Sequence, residues 1–232
     1  MFVIIADQVD SRHDRDHVDD TIGMLTARFG DQLTLHPERT AGDELQLLVA
    51  DGSTALAATL ALLRHDHWRT GIGVGAVNEP LPSSVRQASG PAFLAARSAI
   101  EAAERRPHRC AVRGDGADAP AAADLGALVD LLLTQRARWS AAGWELHDLL
   151  EEGRTQADAA EMLGITPQAV SKRARAAGLR VDVDARASLG RLLDRLDGST
   201  PASSGSTGPT GSTGVAELHG LHEPDGVDGC RR

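Results

Sequence analysis

A few acidic residues near the start of the chain have the types and spacing for metal chemistry. Asp7 closes the apolar run in IIADQVDSR, and Asp10 follows three residues later. Asp43 and Glu44 sit between two strand-like runs in RTAGDELQLL. A carboxylate ending a central strand faces a second one on an adjacent hairpin, and such a pair holds one or two Mg²⁺ or Mn²⁺ ions that bind nucleotide phosphates. Gly42 lets the hairpin turn tightly and lets a phosphate approach the backbone. These acids are candidates for holding a metal-nucleotide ligand, with Gly42 and Glu44 beside its phosphates. The competing reading is a set of solvated turns. His13, His17, His65 and His67 form no metal motif by spacing and read as surface residues. Cys110 and Cys230 are too far apart in sequence to form a metal pattern or a disulfide framework.

A second segment carries the opposite charge. TQADAAEMLGITPQAVSKRARAAG, from Thr155 to Gly178, has the signals of a helix-turn-helix. Thr155 caps a first helix, supported by Asp158 three residues on. Gly164 supplies the turn, Thr166 caps the second helix, Pro167 takes its first position, and Gly178 stops it. Ala160 is small where the helices cross, and Leu163, Ile165 and Val170 form the shared core. Ser171, Lys172, Arg173 and Arg175 lie on or beside the outward face. No acid interrupts Ile165 to Arg180, so a compact positive patch is available to the phosphates of double-stranded DNA. The segment resembles the helix-turn-helix of sigma-factor region 4. That resemblance makes Thr166, Gln168, Ser171, Lys172 and Arg175 candidate base-edge or phosphate contacts.

The acidic segment also has a family likeness. ADQVDSR, GDELQ, GIGVG and SGPAFLAAR, in this order, resemble the SatD family of bacterial proteins over most of residues 1–113. The same landmarks are similar to the palm of class III nucleotidyl cyclases and diguanylate cyclases, with AGDEL close to the GGDEF signature. The resemblance implies two metals at Asp7 and Asp43, a base-reading role for Arg39 and a phosphate contact for Arg97. Class III cyclases place an asparagine four residues before that arginine. Phe93 stands there in this chain, which argues against cyclase activity.

Elements must bring these residues together. Phe2 to Ala6 reads as a buried strand, Val18 to Phe29 as a helix with apolar residues at helical spacing. Strands at 33–35 and 45–49, a helix at 54–64, a glycine-spaced strand at 71–77, a helix at 91–106 and a strand at 109–113 follow. This β-α-β-β-α-β order predicts an antiparallel or mixed sheet with helices on one face. GDGADAPAAAD, residues 114–124, reads as a linker, with Asp124 capping an apolar helix. Helices at about 140–152 and 184–196 complete the second part. The apolar stripe of the last one belongs either to the second domain's core or to a dimer seam, with the core preferred.

Composition narrows the classes. A chain of 232 residues with 41% hydrophobic residues suffices for packed cores, but aromatics are only 3% and Tyr is absent. A net charge of -9 argues against uniform nucleic-acid coating, whereas one basic helix on an acidic body suits specific DNA binding. No run approaches the roughly 20 apolar residues of a membrane span. The start lacks a signal peptide's basic region, so a cytoplasmic protein without a membrane partner is expected.

The expected fold is thus an α/β (α+β) ferredoxin-like palm at 1–113, a linker at 114–124, an all-α helix-turn-helix domain at 125–197 and a disordered tail at 198–232. The expected function is a DNA-binding regulator whose palm binds a metal-nucleotide ligand. The alternative is a nucleotidyl cyclase or related enzyme making a signalling nucleotide. Homodimerisation stays open.

Overall fold

The apolar run at the start forms β1 (Phe2–Gln8), the central strand of a five-stranded sheet, in a computed structural model that describes residues 1–198. β1 is flanked by β3 (Glu44–Val49) and β4 (Trp68–Val74), both antiparallel to it. β2 (Leu33–Arg39) pairs outside β3, and β5 (Cys110–Gly114) lies parallel to β4 at the other edge. The order is β2-β3-β1-β4-β5, so the sheet is mixed. Eight α-helices accompany it among the described residues. The expected tail lies outside the described residues from position 199 on.

Side-chain alternation gives β1 two apolar faces. Phe2, Ile4 and Ala6 point to one side, with Leu45, Leu47 and Val49 of β3. This face is covered by α1 (Val18–Phe29) and α2 (Gly52–Leu62). α1 buries Val18, Thr21, Leu25 and Phe29 at helical spacing. Val3, Ile5 and Leu48 point to the other side, against Ala92, Ala96 and Ile100 of α3 (Pro91–Ala103). Helices therefore cover both faces, not one. The cause lies in β4. Gly71 and Gly73 leave a bare track on which α3 lies backbone to backbone. A Cβ on Gly73 would stand 2.2 Å from the Ala92 carbonyl oxygen, and one on Gly71 2.5 Å from the Ile100 nitrogen.

The segment expected to be a linker is built into the fold. It holds the end of β5, a 3-10 turn at Gly116–Asp118 and the first turns of α4 (Ala119–Arg136). Asp118, not Asp124, is the residue before that helix, and Pro120 occupies its first turn. Ala122 is fully buried, and Leu125, Val129, Leu132 and Leu133 join the core of the α1–α2 face. α8 (Leu179–Leu196) returns to that same face, where Leu189 and Leu193 pack on α2. Its apolar stripe thus serves the core of the sheet layer rather than a separate core.

Between α4 and α8 lie α5 (Ala141–Glu151), α6 (Gln156–Met162) and α7 (Pro167–Ala177). They enclose a smaller core of Leu146, Ala159, Ala160, Val170 and Ala177, with Trp139 and Leu179 at its ends. The two stems of this tri-helical unit are clamped. Arg136 donates through Nε and Nη2 to the two oxygens of the buried Asp182 at 2.6 and 2.8 Å. Arg186 adds a third bond to Asp182 at 2.9 Å and reaches Glu151 of α5 at 2.6 Å. Arg64 of the loop after α2 grips Asp148 of α5 with two bonds of 2.6 and 2.5 Å.

The glycine track gives the first prediction. Gly73→Ala forces α3 off the sheet, and overpacking of this kind costs about 3 kcal/mol. Urea unfolding should show a clear fall in midpoint, whereas Gly23→Ala on the open side of α1, where an added Cβ meets nothing within 4 Å, should be neutral or stabilising.

Candidate functional site

Register aligns the charged residues at one end of the sheet. Asp7 stands directly opposite Glu44 on β3 and opposite Arg69 on β4. All three alternate with the core residues of the α1–α2 face, so they lie on the α3 side. The backbone N–H of Gln8 donates to the Asp43 carbonyl at 3.1 Å, which pins the hairpin tip to the end of β1. Gly42 turns that tip with φ +57. Burial and the nearby Asp43 charge push the Asp7 carboxyl above the usual aspartate range, against the pull of the Arg69 guanidinium at 3.2 Å. Glu44 pushes in the same direction as Asp43, and Arg97 in the opposite one. The two acids expected to share a metal therefore sense each other across the hairpin.

Glu44 is not available to a nucleotide. It is buried, and its oxygens accept from Arg97 at 2.5 and 3.3 Å, from the Thr40 hydroxyl at 2.6 Å and from Gln46 at 3.2 Å. Arg97, on α3, is half-exposed and held in this pair. Arg39 is likewise engaged. It reaches Asp16 at 2.8 Å, Asp19 at 3.1 Å and the Gly42 carbonyl at 2.7 Å, fastening the hairpin to the loop before α1. Phe93 packs beside the second core. Arg69 belongs to this row without a local motif to mark it. It lies two and four residues before Gly71 and Gly73 on the same face of β4.

The basic segment follows its sequence signals closely. The Thr155 hydroxyl accepts from the Asp158 N–H at 3.1 Å, and the Asp158 carboxylate accepts from the Thr155 N–H at 2.8 Å. These two bonds form a complete capping box. Gly164 has φ +61 between α6 and α7. The Thr166 hydroxyl accepts from the Ala169 N–H at 3.2 Å, ahead of Pro167. Gly178 ends α7 with φ +64 and begins α8 without a break. Ala160 and Val170 are buried and Ile165 packs against them. Leu163 is half-buried at the end of α6, outside that cluster.

Along α7, Gln168, Lys172 and Arg175 are exposed at spacings of four and three residues, hence on one face. Thr166 is exposed at its start, with its hydroxyl committed to the cap. Ser171 is half-buried and donates to Gln156 at 3.4 Å, while Arg175 Nε reaches the Ser171 carbonyl at 3.3 Å. Arg173 turns aside to Glu145 of α5 at 3.2 Å, so it serves the unit's own packing. The acids of the tri-helical unit lie on α5 and α6 and the turn between them, leaving α7 purely basic.

One other expectation changes. His17 is buried rather than on the surface, and its ring stacks on His67. Cys110 is fully buried, and burial pushes its thiol up to about 12, so it is no nucleophile. No helix among the described residues is long and apolar enough to cross a membrane. No family model, curated protein or solved structure matches this chain.

The strained acid pair gives a pH prediction. A carboxyl whose folded value is raised contributes stability below its ordinary value of 3.8, and that contribution is lost as the pH rises. Asp7→Asn removes the charge that burial and Asp43 disfavour. The variant should unfold at higher urea concentration than the parent near neutral pH, and the difference should vanish in acid below 3.8. Equal or lower stability of the variant at neutral pH would contradict this account of the site.

Proposed function

We propose that the chain is a DNA-binding regulator that lays α7 in the major groove of duplex DNA. The observation that carries this reading is the face of Gln168, Lys172 and Arg175. It is exposed on a helix capped at both ends and held on its own small core. A long polar residue flanked by cations is the donor set that reads base edges and grips phosphates. The helix-turn-helix reading draws further support from the capping box, Gly164 and the Thr166–Pro167 start. For the sheet, the β-α-β-β-α-β run with its strands in the order β2-β3-β1-β4 supports a ferredoxin-like palm of the SatD-like kind, extended by α3 and β5.

The test is anisotropy of the full chain on duplexes selected from a random pool. Lys172→Ala with Arg175→Ala should weaken binding at low salt and lower the salt slope by about one unit for each phosphate contact removed. Unchanged affinity and slope in the double variant would refute the role of α7. Arg173→Ala should matter less, because Arg173 is spent on Glu145.

A second role attaches to the sheet. Asp7 and Asp43 are the residues that would hold Mg²⁺ or Mn²⁺ carrying a nucleotide, and a divalent ion would favour the charged form of an Asp7 carboxyl that burial first, and Asp43 second, push up. The metal would supply charge neutralisation for phosphate oxygens. Binding without turnover is the favoured form. Arg97 and Arg39 are already paired with protein carboxylates, and Phe93 fills the asparagine position of class III cyclases. A nucleoside triphosphate with Mg²⁺ or Mn²⁺ should therefore raise the melting temperature of the full chain without releasing pyrophosphate. Asp43→Asn should abolish the rise. Pyrophosphate release that depends on Asp43 would favour the cyclase instead, and absence of any shift would leave the sheet a structural layer.

A further inference from the structure

The loop from Val9 to Asp16 closes on itself beside the acid row, and one of its side chains, Asp14, reaches two imidazoles. The buried Gln8 holds the loop at both sides, accepting from the His17 N–H at 2.9 Å and donating to the Arg15 carbonyl at 2.7 Å. Asp10 takes φ +55 to make the turn, and the Asp14 N–H donates to its carbonyl at 3.1 Å. This geometry aims the Asp14 carboxylate at two imidazoles. His17 Nε2 lies 3.2 Å from Asp14 Oδ2, and His67 Nδ1 lies 3.3 Å from the same oxygen. His67 comes from the segment just before β4, and its carbonyl accepts from the Val9 N–H at 2.8 Å, tying that segment to the loop. The two rings are stacked with centroids 4.0 Å apart.

We propose that Asp14, His17 and His67 form a binding site for a divalent transition-metal ion of the zinc class. Their ligand atoms all lie within 4.8 Å of one another. The separations of 3.2 and 3.3 Å are those of imidazole–carboxylate hydrogen bonds, and they are also compatible with the roughly 3.3 Å between neighbouring ligand atoms that bonds of about 2.0–2.1 Å at tetrahedral angles produce. Two imidazoles with one carboxylate are a donor set that favours zinc-class ions over Mg²⁺, which prefers oxygen. The outer contacts are of the kind such sites use. Asp14 Oδ1 accepts from the Arg15 N–H at 2.8 Å, leaving Oδ2 for the ion.

The protein supplies three ligands, which leaves a fourth position. His17 and His67 line a cleft of ≈ 430 Å³ that also presents His65, Arg15, Arg28 and Arg64. Those arginines are paired with Asp20, Glu151 and Asp148, so the cleft offers room for a water molecule as the fourth ligand rather than a free positive field. The site is distinct from the Asp7–Asp43 pair in residues and in the metal it selects. Sequence spacing hid it because its ligands come from positions 14, 17 and 67.

The full chain, stripped with a chelator, is titrated with Zn²⁺ in competition with a chromophoric chelator. The parent should bind one equivalent through this site. His67→Ala and Asp14→Asn, both at partly exposed positions, should each weaken that equivalent at least tenfold while circular dichroism stays native. His219→Ala with His222→Ala controls for the two histidines of the terminal segment and should leave the equivalent intact. Co²⁺ should give the intense visible absorption of a low-coordinate site in the parent and lose it in Asp14→Asn. Zn²⁺ affinity that survives His67→Ala and Asp14→Asn, or that disappears with His219→Ala and His222→Ala, overturns the proposal. So does failure of the parent to compete for Zn²⁺ at all. None of these readouts depends on DNA or nucleotide binding.

Discussion

A single buried carboxylate decides how this molecule is joined. Asp182 takes both branches of the Arg136 guanidinium and a third bond from Arg186, and almost none of it is exposed. Residues 136 and 182 are where the chain leaves the sheet layer and where it returns. Their pairing closes the tri-helical unit into a loop with fixed ends. Burying such charges costs solvation that their attraction roughly balances, so the cluster adds little net stability. Its contribution is geometric. A hydrophobic contact would let the stems slide, whereas two guanidiniums on one carboxylate accept few alternative arrangements. Glu151 and Asp148 extend the same network to Arg28 and Arg64 on the sheet side. The direction in which α7 points is therefore set by the sheet layer. That is the property a regulator needs if a ligand at the sheet is to be felt at the DNA.

The sheet supplies a different kind of order. One register places Glu44, Asp7 and Arg69 in a row, and the bare track of Gly71 and Gly73 brings α3 close enough for Arg97 to reach Glu44. The row mixes charges so that most are neutralised internally. Asp7 keeps a raised carboxyl within that row, because its burial and the nearby Asp43 outweigh the pull of Arg69. Arg39 meanwhile ties the hairpin to the loop that carries Asp14 and His17. The acid pair and the imidazole site thus share a mechanical connection through Asp16 and Gly42.

Local signals were legible in the sequence and long-range ones were not. The caps of α6 and α7 depend on residues three apart, so Thr155, Asp158, Thr166 and Gly178 announced them directly. The convergence of Asp7 with the 41–44 hairpin was also readable, because a strand end and a tight turn leave few alternatives. The occupation of Arg39, Arg97 and Arg173 was not, since each is decided by a partner from another element. Residues 114–124 read as a linker because glycine, alanine and aspartate are loop-like in composition. The same alanines are strong helix formers once Pro120 starts the turn, and Ala122 is small enough to sit buried in the core beside β5. The start of α8 was placed five residues late because Gly178 does two tasks, ending one helix and opening the next. Helices on both sheet faces were hinted at only by the glycine spacing of β4.

The return of α8 to the sheet has a consequence for synthesis on the ribosome. α2 lies with one side on the strands and the other beneath Leu189 and Leu193. Those leucines are translated more than a hundred residues after α2 itself. Until they emerge, the nascent chain holds a sheet whose helical layer is still apolar on its outer side, and α4 covers only part of it. Exposed apolar surface of that kind is what chaperones bind and what drives nascent chains to associate. The chain therefore completes its first core only with its last described helix, α8.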